Sequence, residues 1–169
     1  MFPELLRSSI RPLSTTARRL DRAVVYAANG EPTNVLSVLT YPNIPSPPPN
    51  SVNIKFLLSP INPADINVIE GVYPNKPRKS DALAPGGKGD PVFVAGNEGL
   101  ARVTAVGQGV HSLNVNDWVI MIKSQAGTWA TDRNVAAVDV ARIPDADSLT
   151  EVQAATLMVR SLLISGKYV

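Results

Sequence analysis

Ser51-Val52-Asn53-Ile54-Lys55-Phe56-Leu57-Leu58-Ser59-Pro60-Ile61-Asn62-Pro63-Ala64-Asp65-Ile66-Asn67-Val68-Ile69-Glu70-Gly71-Val72-Tyr73-Pro74 carries two different hydrophobic patterns in succession. In the first, Val52, Ile54, Phe56 and Leu58 alternate with Ser51, Asn53 and Lys55. That is the period of a strand, and it predicts one buried face. From Pro63 to Glu70 the pattern changes to short helix: Asn62 can cap, Pro63 suits the first position because its missing N–H costs no bond there, and Gly71 stops it. The helix then hands the chain to Tyr73.

Outward from this segment the chain is predominantly β. Arg22-Ala23-Val24-Val25-Tyr26 and Val35-Leu36-Ser37-Val38-Leu39 read as paired strands, and Tyr41 to Asn50, with five prolines in ten residues, as a connecting loop. Lys76 to Asp90 is dense in Pro, Gly, Lys and Arg and is read as a mobile surface loop. Leu100 to Val106, Trp118 to Ile122, Thr128 to Ala137 and Val138 to Ile143 supply further strands, closed by Pro144-Asp145. Short strands with little helix between them indicate a barrel or sandwich. Ser148-Leu149-Thr150-Glu151 opens a capped helix with Val152, Ala155, Thr156 and Val159 along one stripe.

Composition narrows the chemistry. The 169 residues, 44% of them hydrophobic, suffice for one folded domain plus tails. Net charge is +2, and setting aside Arg7, Arg11, Arg18, Arg19 and Glu4 leaves 12 basic and 13 acidic residues of the 16 and 14 in the chain, no basic surplus for nucleic acid. No window approaches about 18 unbroken apolar residues, so no membrane span is expected. There is no cysteine and one histidine, His111, in a turn and expected at the surface. No tetrahedral Cys/His zinc site can be assembled from this chain, and no metal is expected. Residues 1–20, rich in Arg, Ser and Thr with loosely helical apolar spacing, have the composition of a mitochondrial presequence, and a disordered basic tail is the alternative.

Tyr26, the Ser59 to Pro74 segment, Gly96-Asn97-Glu98-Gly99, Val106-Gly107-Gln108-Gly109-Val110 and Gly127-Thr128-Trp129, in this order, resemble the catalytic, chaperonin-10-like (GroES-like) domain of the medium-chain dehydrogenase/reductases over about Asp21 to Val159. The resemblance implies a mainly β, partly open barrel with short helices and a C-terminal helix. Asn97 stands where zinc-dependent members have a histidine ligand, which implies a zinc-free member. Gly71-Val72-Tyr73-Pro74 is similar to the mitochondrial 2-enoyl thioester (enoyl-acyl carrier protein) reductases of fatty acid synthesis. Another zinc-free reductase, such as a quinone reductase, is the competing family reading.

The resemblance implies NADPH as cofactor, an enoyl thioester of acyl carrier protein or coenzyme A as substrate, the mitochondrial matrix as location, and association into a homo- or hetero-oligomer. It assigns Tyr73 to catalysis, as a phenol donor to the charge that develops on the thioester oxygen. Asn62 is carried over as cofactor-adjacent and Trp129 as substrate-binding, each with a structural alternative: Asn62 as a helix cap, Trp129 as core. Glu98 is read as a structural hydrogen-bonding residue.

After Val159 the resemblance ends. Arg160 stands where the family has an asparagine, and no glycine-rich phosphate turn between a strand and a helix follows. Three parts are expected: presequence 1–20, GroES-like catalytic domain 21–147, and a linking helix with divergent tail 148–169. The Rossmann domain is expected to be missing, and no NADPH is expected to bind this chain alone. The competing function is a non-catalytic isoform acting as a partner-binding subunit in a mitochondrial assembly.

Overall fold

The structure, a computed structural model, describes residues 20–73, 77–80, 83, 90–144 and 148–158. The presequence reading, most of the Lys76 to Asp90 loop and the divergent tail lie outside the described residues.

Among the described residues, eight strands and three short helices follow one another: β1 (Asp21–Tyr26), α1 (Pro32–Val35), β2 (Ser37–Tyr41), β3 (Ser51–Leu58), α2 (Pro63–Glu70), β4 (Phe93–Val94), β5 (Leu100–Val106), β6 (Trp118–Met121), β7 (Asp132–Ala136), β8 (Val140–Arg142) and α3 (Glu151–Ala155). Antiparallel pairing gives a three-stranded sheet in the order β2-β1-β4 and a five-stranded sheet in the order β7-β3-β5-β6-β8. The segment before β7 joins them: Val24 N–H donates to Trp129 O at 2.8 Å, Thr131 N–H to Arg22 O at 2.8 Å and Phe56 N–H to Thr131 O at 2.9 Å. Among the described residues the sheets do not close on each other, which is the partly open barrel the resemblance implies.

Val52, Ile54, Val103 and Val119, each 0% exposed, centre the main core in the five-stranded sheet. Fully burying each such side chain is worth roughly 1.5–3 kcal/mol. A second cluster lies under the three-stranded sheet and includes Leu83. The described part of the segment read as a mobile loop is therefore tied down: Leu83 is 5% exposed, and Ser80 pairs with Val92 through two backbone bonds of 2.7 and 3.1 Å.

Several expectations need correcting. β3 buries both faces at its start, since Ser51 and Asn53 are 7% and 6% exposed. The proline-rich loop covers the polar face, where its carbonyls need donors. Asn53 Nδ2 supplies Pro45 O at 2.7 Å and Ser51 Oγ supplies Pro48 O at 2.8 Å, while Asn134 bonds to both side chains from β7. β2 begins at Ser37 because Pro32 to Val35 form a helical turn. β7 starts at Asp132, and a 3-10 turn over Ala137–Asp139 separates it from β8. In α3 the buried face is Ala154 and Ala155, with Val152 two-thirds exposed, because small side chains let the helix approach Leu100 and Ile143. α3 has the capped start expected within Ser148 to Glu151, with Thr150 as the cap and Gln153 completing the box. His111 is exposed.

Candidate active site

The site is assembled around α2. At its start, Asp65 Oδ2 accepts from the Asn62 N–H at 2.7 Å and closes a capping box. At its end, Gly71 takes the left-handed conformation at φ 84°, with its N–H shared between Asn67 O and Val68 O. The Asn29 side chain donates to Val68 O and Ile69 O, both at 3.0 Å, and so fills the last-turn carbonyls that a helix leaves without partners. Ile69, 1% exposed, packs with Tyr26 and Ala95. With both ends pinned and one side buried, α2 is a fixed post, and Tyr73, two residues past its cap and half-buried, inherits that position.

Beneath α2 runs a polar seam. Asp65 is 1% exposed, and its Oδ1 accepts from Asn97 Nδ2 at 2.7 Å. Asn97 Oδ1 in turn accepts from the Gln125 N–H at 3.0 Å. Burial raises the Asp65 carboxyl above its ordinary range, and the bonds from Asn62 and Asn97 oppose the shift. A second branch starts at Asn62, whose Nδ2 donates to Glu98 Oε1 at 2.9 Å. Thr128 Oγ1 donates to Glu98 O at 2.7 Å, and Ser59 Oγ to Thr128 O at 2.8 Å. Gly96, at φ 95°, is required here because a Cβ would strike Trp129 and Thr128. Among the described residues no buried side-chain nitrogen or oxygen lacks a hydrogen-bond partner.

The predicted residues fall into two places. Asn62 caps the start of α2, and Trp129 is tied to the segment just before it, its Nε1 donating to Pro60 O at 3.3 Å. Tyr73 lies past the opposite end, and an eight-residue helix puts about 12 Å between those ends. Trp129 is half-buried: it packs with the Tyr26–Ile69 cluster and also lines an open apolar groove of about 600 Å³ with Phe56, Leu58 and Ile61. Asn62 acts as cap and as seam donor at once. Glu98 is a buried hydrogen-bonding residue, as its sequence context indicates.

Sequence reasoning missed Thr128, Gln125, Ser59 and Asn29 as structural partners. No local pattern marked them, because their partners lie about 28 to 69 positions away. The donor set also bears on metals. Asn97 spends its amide nitrogen on Asp65 and accepts the Gln125 N–H at its oxygen, and among the described residues no group of three or more His, Cys, Asp or Glu could hold an ion.

A half-open antiparallel barrel with a capped helix that leads to a tyrosine and is tied at its start to a glycine-bounded polar turn defines a GroES-like domain of the dehydrogenase type. The profile of the alcohol dehydrogenase GroES-like domain matches residues 48–145, and the chain belongs to that family. It is 40% identical over 150 residues to the mitochondrial enoyl-[acyl-carrier-protein] reductase 2 of Debaryomyces hansenii, a match covering 84% of this chain and 37% of the relative. Among solved structures, it superposes on the Etr1p/NADP/crotonyl-CoA complex with TM-score 0.77 and 39% identity, covering 85% of this chain and 42% of that one. On the mitochondrial 2-enoyl thioester reductase Etr1p/Etr2p heterodimer from Candida tropicalis it superposes with TM-score 0.74 and 38% identity, covering 82% and 40%. The chain thus spans about two fifths of the length of the relatives it matches. The names of those relatives agree with the mitochondrial location expected from the sequence.

Proposed function

We propose that residues 21–147 form the catalytic-domain portion of an NADPH-dependent reductase of trans-2-enoyl thioesters in the mitochondrial matrix, serving fatty acid synthesis, with residues 1–20 as its presequence and residues 148–169 as a linking helix and tail. The observation that carries this reading is the pinned helix α2 handing the chain through Gly71 to Tyr73, in a domain whose solved relative is a complex with NADP and crotonyl-CoA.

Reduction at the β-carbon moves negative charge onto the thioester oxygen. A phenol donor at a fixed place stabilises that charge and supplies a proton without having to be reorganised. Tyr73 takes this role. Trp129 forms an apolar wall for substrate, and Asn62 is the residue that would lie next to a bound dinucleotide. Bound dinucleotide would supply the hydride. These residues do not fit the whole dinucleotide, because among the described residues no glycine-rich turn leads from a strand into a helix to cradle its phosphates. The 169 residues alone are accordingly expected to bind no NADPH, and micromolar binding by calorimetry would overturn that.

A chimera tests the chemistry. Residues 21–158 replace the matching part of the Debaryomyces hansenii enzyme, and crotonyl-CoA reduction by NADPH is followed. The chimera should be active, and Tyr73→Phe should lower its rate on the order of 10²–10³-fold, as for loss of one oxyanion donor. Equal rates with and without the hydroxyl would remove Tyr73 from the mechanism.

One observation favours a second reading, a non-catalytic partner-binding subunit. The apolar groove is lined by Val38 and Ile61, exposed by 66% and 72%, and a smaller pocket that shares Leu58 and Ser59 with it is lined by Val152, exposed by 66%. An inactive chimera, together with a stable complex of this chain in sedimentation, would support it.

A further inference from the structure

Much of the exposed apolar surface is gathered in one place. Nine large apolar side chains are exposed among the described residues, and four of them, Val38, Leu58, Ile61 and Val152, line the groove or the pocket beside it. Such side chains scattered singly need no explanation, whereas a contiguous patch marks a surface that something covers. The groove measures about 600 Å³ and the pocket about 200 Å³, and Leu58 and Ser59 line both. The two form one apolar track, with Val38 in the groove and Val152 in the pocket.

α3 sets where the chain goes next. Ala154 and Ala155 are buried against Leu100 and Ile143, and Leu157 packs against the same cluster. Thr156, whose hydroxyl donates to Val152 O at 3.1 Å, lines the pocket. The chain is therefore anchored at the track when it leaves α3. Residues 159–169 lie outside the described residues, and what bears on the track is their sequence. Ser161-Leu162-Leu163-Ile164-Ser165 sets three consecutive large apolar residues between serines. Leu162 is six residues past Thr156, a reach of up to about 20 Å for extended chain, which allows passage from the pocket into the groove across Leu58 and Ser59. The other end of the chain suits the track less well. Its stretch nearest β1 in sequence, Ser14 to Arg19, offers only Ala17 as an apolar residue.

We propose that this track is the docking site of the chain's own segment 160–165, with Leu162, Leu163 and Ile164 as anchors, so that the tail is a built-in cover for the groove. The docking itself needs no reductase activity. Because Trp129 lines the same groove, a docked tail and a substrate lying along Trp129 exclude each other, a consequence that rests on the thioester reading above.

The test is made on the full chain of 169 residues with labelled methyl groups, in dilute solution. Nuclear Overhauser contacts should run from Leu162, Leu163 and Ile164 to Val38, Ile61 and Val152. In a mixture of labelled and unlabelled chains, none should run between molecules. Contacts between molecules would put a second copy on the track, and contacts from Leu5, Leu6 or Leu13 would put the N-terminal arm there. Either result overturns the proposal, as does the absence of any contact from the tail.

Leu162→Asp with Leu163→Asp and Ile164→Asp should abolish the contacts and shift the methyl resonances of Val38, Ile61 and Val152. Val115→Asp, at an exposed position that lines neither cavity, should leave both in place. Track resonances that stay put in the triple variant overturn the docking, and if that variant does not fold, the wild-type contacts decide. The two readings fail separately. The chimera carries nothing beyond residue 158, so its turnover tests the reductase and is blind to the tail.

Discussion

The five-stranded sheet and the seam beneath α2 are both buried, yet they are held by different forces. The sheet is held by area: Val52, Ile54, Val103 and Val119 contribute by filling space, which any apolar residue of similar volume does nearly as well. The seam is held by direction, through acceptors and donors matched one to one along Asp65–Asn97–Gln125 and Asn62–Glu98. A buried polar group left without its partner costs more than the bond was worth. The seam is therefore the part of the molecule with least tolerance, and it is also the part that fixes where Tyr73 stands.

Gly96→Ala gives the harshest test of that contrast. It combines a positive φ with a Cβ driven against Trp129 and Thr128, and about 3–5 kcal/mol of stability should be lost in urea unfolding. A loss under about 1 kcal/mol would mean that the seam relaxes like a core. Ile54→Ala in the sheet should cost about 2–4 kcal/mol, whereas Ile54→Val should cost only about 0.5–1.5, a graded response to volume.

Asp65→Asn changes no volume and should still cost about 1–3 kcal/mol, since an amide offers one acceptor where the carboxylate accepts from both Asn62 and Asn97. It also carries a pH signature. The folded carboxyl binds its proton more tightly than the unfolded one, so its contribution to stability falls as pH rises from the unfolded value, 3.8, to the raised folded value, and is level above it. Unfolding curves of the variant should lack that slope.

The smallest effect belongs to Tyr41. Its hydroxyl donates to Asp132 O at 2.6 Å, and burial, with the nearby Asp21 charge, pushes the phenol up to about 12. Tyr41→Phe should cost about 1 kcal/mol. The unfolded chain loses this proton near 10.0 and the folded chain near 12, so stability drains between those values as pH rises, and the variant should lose less there.

The same contrast explains what could be seen in the sequence. β3, β5 and β6 were legible because area-driven packing writes itself as period and composition. So were α2 and its caps, since Asn62, Pro63 and Gly71 act within a few residues of one another. Two features misled. The polar side of β3 is buried because carbonyls of the proline-rich loop, at Pro45 and Pro48, needed its donors. The face of α3 was chosen by how closely Ala154 and Ala155 could approach Leu100, a matter of shape. At the site, the roles of Thr128, Gln125 and Asn29 depend on partners about 30 to 40 positions away, beyond any local pattern.

The pairing order also has a consequence for how the chain matures. β3 lies between β5 and β7, and Asn134 reaches Ser51 across 83 positions of sequence. At a ribosomal pace of about 5–20 residues per second, the first-made strand stays unsealed along one edge for on the order of 4–17 s after it emerges. During that interval Val52 and Ile54 are open to chaperones and to neighbouring nascent chains, which makes the timing of translation a determinant of yield.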